Sequence, residues 1–125
     1  MTLNDLRAQG RLRPHRTSRR ELDDLLRLAE RDLVDASIAG LSTDRRFMIA
    51  YEAAVALATI PLYASGFRTE GTGHHQTTFV ALPLVMGDEF ADPGGLLRHV
   101  PYEAQSQRVR SHGRDVGDGG GGAPG

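Results

Sequence analysis

The sequence predicts an all-α fold, an antiparallel up-and-down helical bundle. Three observations predict it. Two long stretches carry apolar residues at three- and four-residue steps, the period of a helix with one buried stripe. Gly40 and Gly66 stand where each stripe stops, as helix-ending glycines do. The link between the stripes, residues 40–43, is short, which makes the two helices antiparallel neighbours.

A chain of 125 residues is one domain's worth. Residues 1–17 read as a flexible basic leader. Leu3 and Leu6 can make one helical turn, but Gly10, Pro14, Arg7, Arg11, Arg13, His15 and Arg16 give no period. A solvated tail is the preferred reading, and an arm that touches RNA or DNA is the alternative. The first long helix is expected over about 18–40. Ser18 and Glu21 have the spacing of a capping box. Leu22, Leu25, Leu26, Ala29, Leu33 and Ala36 form its stripe, with Asp23, Asp24, Arg27, Glu30, Arg31 and Asp35 on the other side. The second helix is expected over about 43–65. Ser42 or Thr43 caps it, and Asp44 sits in its positive first turn. Phe47, Ala50, Tyr51, Ala54, Leu57 and Ala58 are its stripe, and its many alanines let a neighbour approach closely. Pro61 must kink or end the ladder.

Residues 67–75 read as a polar, Gly-rich loop, and a third helix is expected over about 76–87. Phe79, Val80, Leu82, Val85 and Met86 are its apolar residues. A strand is the alternative over 77–85, where β-branched residues cluster, although Pro83 argues against a central strand. From Pro93 the character changes: residues 93–125 hold nine of the 15 glycines and read as a disordered tail. Residues 18–92 then carry the fold, near the lower limit for an independent core.

Composition narrows the function classes. The 15 basic and 16 acidic residues leave a net charge of -1, so no bulk pull toward nucleic acid or membrane follows. Every basic residue is Arg, and Gly, Ala and Arg dominate. A GC-rich bacterial genome explains that before a phosphate-binding surface does. With no Cys, disulfides, thiolate metal sites and Cys nucleophiles are excluded. No apolar run approaches the roughly 20 residues of a membrane helix. The N-terminal residues lack an apolar signal core, so a soluble, cytoplasmic protein is expected.

The second helix opens Arg46-Phe47, then Ala50-Tyr51-Glu52-Ala53-Ala54, and a loop with Gly71, Gly73, His74 and His75 follows before the third helix. Over about residues 13–92 this order resembles the HEPN family (higher-eukaryote and prokaryote nucleotide-binding domains), in particular a branch found in actinobacteria. The resemblance implies a four- or five-helix bundle that dimerises. It also implies RNA binding or metal-independent RNA cleavage in a toxin–antitoxin or defence setting. The family's cleavage motif is Arg, four to six residues, then His, with two motifs facing one cleft in the dimer. Arg can hold the scissile phosphate, and His can move the 2′-hydroxyl proton.

That motif belongs beyond the third helix, where this chain departs from the family. Read one base later from inside Gly94, permitted codons for the tail give an Arg-Asn-Arg-Asn-Ala-Tyr segment followed by an acidic, Leu-ended helix start. The expectation is a bundle without its last helix and a tail out of frame through a one-base insertion near codons 92–94. Arg98, His99 and Arg108 to His112 then carry no family meaning.

Within the bundle, Arg68 with His74 or His75 has the motif's spacing but stands before the third helix. These three are the catalytic candidates, and a structural or capping His is the competing reading. Adjacent His74 and His75 are poor partners for one metal ion, and no carboxylate stands at a helical ligand spacing, so neither metal nor cofactor is expected. Gly71-Thr72-Gly73 fits a turn better than a phosphate loop. Arg45 and Arg46 read as a solvated face and Tyr51 as packing at the core's edge. The expected function is a HEPN-like, RNA-binding or ribonuclease-toxin-related protein that is itself catalytically inactive. The alternative is a non-enzymatic helical interaction module acting through a homodimer or an antitoxin-like protein partner. No membrane partner is expected, and no DNA is specifically indicated.

Overall fold

The computed structural model describes residues 1–92. In chain order they form α1 (Leu3–Ala8), β1 (Leu12–Pro14), α2 (Arg19–Asp35), α3 (Thr43–Ala64), β2 (Phe67–Thr69) and α4 (His74–Met86), then a 3-10 turn at Asp88–Phe90. The described chain is mostly helical, with one two-stranded sheet. The expectations for residues 93–125 lie outside the described residues.

Ser18 caps α2, its hydroxyl accepting from the Glu21 amide at 3.1 Å. The carboxylate of Glu21 does not complete a capping box; it turns instead to His15 and Thr17. The helix stops at Asp35, short of the expected Gly40. Ser37 and Ile38 donate their amides to Val34 and Asp35, which tightens the end into three-residue turns. The Ser37 hydroxyl also bonds to the Val34 carbonyl, and Arg46 Nε donates to that of Ala36 at 3.0 Å. Acceptors left at the helix end are thereby satisfied.

The central element is α3. Ser42 caps it, and Gly66, at φ 91°, takes the left-handed position just past its end. Ala53 and Ala56 pack on Ala29 and Leu33 of α2. Ala54 and Ala58 pack on Leu82 of α4 and on Phe90. Methyl groups on two faces let a helix approach from each side. Glu52 is the lone charge between Phe47 and Ala64. Contrary to the sequence expectation, α3 is long and apolar enough to cross a membrane by length and composition. Two of its faces carry other helices.

Two further expectations are corrected. First, residues 1–17 are built into the fold. A full capping box joins Thr2 and Asp5 at the start of α1. Leu6 and Leu12 are fully buried in one cluster with Leu62 and Ala81. The strand β1 pairs antiparallel with β2, matching Leu12 to Thr69, Arg13 to Arg68 and Pro14 to Phe67. These leucines show no common period because one lies on a helix and the other on a strand. Second, residues 67–75 are not all loop: Phe67–Thr69 form β2, and α4 then meets Tyr51 of α3 through His75 and Phe79. It starts at His74, directly after Gly73 at φ 74°, rather than at Gln76.

Candidate functional site

Side chains of consecutive strand residues point to opposite faces, and β2 applies that rule to the predicted site. Arg68 has a buried Nε without a hydrogen-bond partner, and its charge reaches Glu21. Its neighbour Thr69 points the other way, with Oγ1 2.7 Å from His74 Nδ1. His74 therefore lies across the strand from Arg68. His75, one residue into α4, sets its ring 5.6 Å from that of Tyr51. Among the described residues no hydrogen bond joins Arg68 to His74 or His75, and both histidines are exposed. Among the described residues, no group of three His, Cys, Asp or Glu side chains is placed to hold a metal ion.

Arg68 instead joins a cluster that sequence reasoning missed. His15 Nε2 lies 2.7 Å from Glu21 Oε1, and the Thr17 hydroxyl donates to the same oxygen at 2.8 Å. The imidazole, its side chain only 15% exposed, packs against Tyr63 with ring centres 4.5 Å apart. The hydrogen bond from His15, then that from Thr17, holds the Glu21 carboxyl below its usual pKa, with a smaller pull from the Arg68 charge. Beside the cluster lies an open cleft of about 420 Å³, lined by Ser18, Arg20, Glu21, Asp24, Leu25, Leu28 and Tyr63. Its carboxylates are already engaged, Glu21 as above and Asp24 with Arg27. The cluster binds the N-terminal segment to α2. Six residues separate His15 from Glu21, a spacing that signals nothing in a helix or a strand.

A third feature lies on the surface of α3. Phe47 was expected on the buried stripe, yet it is 69% exposed. The reason is register. α4 meets α3 at Tyr51 through His75 and Phe79, and among the described residues no helix is seen packed over Phe47. The Phe47 ring stacks on Tyr51 at 6.3 Å and 27°. Tyr51 is held in turn by Phe79, 5.7 Å away, and by His75. Arg45, Arg46 and Met48 are exposed on the adjoining positions, with Asp44 and Glu52 nearby. Val34 and Ile38, exposed where α2 ends, lie toward the same end of the helical hairpin.

No protein-family model, curated protein or solved structure matches this chain.

Proposed function

We propose that this is a cytoplasmic, HEPN-like protein that binds RNA without cleaving it. The exposed ring of Phe47, stacked on half-buried Tyr51 in a turn of α3 that also exposes Arg45 and Arg46, carries the RNA-binding half of the reading. Aromatic faces with cations at their edge are what single nucleic-acid strands stack on. The separation of Arg68 from His74 by the alternation of β2 supports the second half. Cleavage needs a phosphate holder and a proton acceptor at one phosphate, and these two side chains serve opposite faces. The test is incubation of the purified chain with end-labelled RNA, followed by native and denaturing gels. A shifted band with strands of unchanged length is expected. Strands shortened by the parent chain but left full length by Arg68→Ala or His74→Ala would restore the nuclease reading.

A second reading has its own observation. Met48, 60% exposed, with Val34 and Ile38, leaves apolar surface near the tip of the α2–α3 hairpin. Such surface fits a non-enzymatic module that works through a homodimer or an antitoxin-like partner. Light scattering on the purified chain separates them, because a monomer at all concentrations removes the homodimer.

A further inference from the structure

We infer that Glu21 is a pH-driven switch between two partners: its carboxylate holds His15 while the imidazole is protonated and turns to the Arg68 guanidinium once the imidazole is neutral. Three elements meet at this side chain of α2. From the N-terminal segment, His15 Nε2 lies 2.7 Å from Glu21 Oε1, and the Thr17 hydroxyl donates to the same oxygen. From β2 comes the charge of Arg68. From α3, the Tyr63 ring backs the imidazole with ring centres 4.5 Å apart. On α2 itself, Arg20 lines the cleft beside Glu21, and the next carboxylate, Asp24, is taken by Arg27. Arg13 stands directly across the ribbon from Arg68 and adds a second positive charge to that face.

The orphaned donor carries the argument. Among the described residues, Arg68 Nε is the buried side-chain polar atom left without a hydrogen-bond partner. Buried polar atoms in that state are rare, and a donor on a charged group is costly to leave so. The carboxylate that feels its charge, Glu21, is committed to His15 and Thr17. Two cations therefore compete for one carboxylate, and only the imidazole can lose its charge near neutral pH. Glu21 stays ionised through that range, because the bonds from His15 and then Thr17 hold its carboxyl below the usual value. With His15 charged, the 2.7 Å contact is a bond between two ions. When the imidazole gives a proton to water that bond weakens, the guanidinium keeps its full charge, and the balance tips to Arg68. The tie from α2 then passes from the N-terminal segment to β2. The backbone bond from His15 to Gly66 stands in both states, so the segment stays paired. Glu21 and Tyr63 both line the open cleft, so its wall changes with the exchange. None of this depends on RNA binding.

The test follows the Arg68 Nε–H resonance of the isotope-labelled 125-residue chain by NMR through a pH titration. Between about pH 5 and about pH 8, where imidazoles change charge, that proton is expected to move downfield as it gains a carboxylate acceptor. His15→Gln is neutral at every pH and is expected to hold the resonance at its high-pH position throughout. Glu21→Gln removes the carboxylate and is expected to leave the resonance at its low-pH position throughout. A flat resonance in the parent chain overturns the switch. So does the parent's pH step surviving in either variant. Circular dichroism checks that both variants fold; should His15→Gln fail to, the parent and Glu21→Gln decide between a step that needs the carboxylate and one that does not.

Discussion

His15 reaches Glu21 because the backbone beside it is pinned: the His15 amide donates to the Gly66 carbonyl at 2.8 Å, where β2 begins. The imidazole then lies between Tyr63 and the first turn of α2. A carboxyl held below its ordinary pKa in the folded state binds fewer protons there than in the unfolded chain. Its stabilising effect is therefore complete above the unfolded carboxyl's pKa and is lost as pH falls through the folded one. Glu21→Gln is expected to lower the urea midpoint at neutral pH and to shrink the drop between neutral and acidic pH; an unchanged drop would remove Glu21 from the account. Arg68 and His74 show why the site was only partly legible. Their spacing is visible in the sequence, but the strand between them is three residues long and carries no alternation strong enough to announce itself. His15 and Glu21 are the reverse case, a real contact with no spacing signal.

At the scale of elements, caps were the most readable features. Ser18, Ser42 and Gly66 each do what their residue types foretell. Stripes were less so. Leu26 and Phe47 keep helical spacing yet face solvent, while Thr77 and Thr78 are buried. Thr77 earns its place by accepting from Arg11 Nε at 3.3 Å, and the Thr78 hydroxyl bonds back to the His74 carbonyl at 2.8 Å. Hydrophobic period cannot foresee polar groups satisfied in this way. The N-terminal segment is the largest revision. Leu6→Ala and Leu12→Ala are each expected to cost about 2–5 kcal/mol, as buried leucines do. Chemical denaturation measures this, and a cost near zero would return residues 1–17 to a loose leader. Close approach of α4 to α3 depends on small side chains, so Ala58→Leu is expected to destabilise by about 1–3 kcal/mol through overpacking. An unchanged or raised denaturation midpoint would show that the α3–α4 contact has room to spare.

On the scale of the whole molecule, the helical class was legible because α2 and α3 are long and α2 has one clear apolar stripe. The path of the chain was not, because β1 and β2 decide it. These two short strands tie the N-terminal segment to the chain that follows α3, and Leu6 and Leu12 are buried with Leu62 and Ala81. A pattern search sees three helices and joins them up and down. What remains open to water is equally a property of the whole. α3 carries α2, α4 and the N-terminal segment, while Phe47 and Met48 near its start stay largely exposed. The proposed RNA binding without cleavage rests on that exposed turn together with the absence of a contact between Arg68 and His74 among the described residues. The most direct measurement is a binding and cleavage time course on one labelled single-stranded RNA. Saturable binding with the strand intact throughout is the predicted result. Progressive shortening of the strand, abolished in Arg68→Ala, would contradict it.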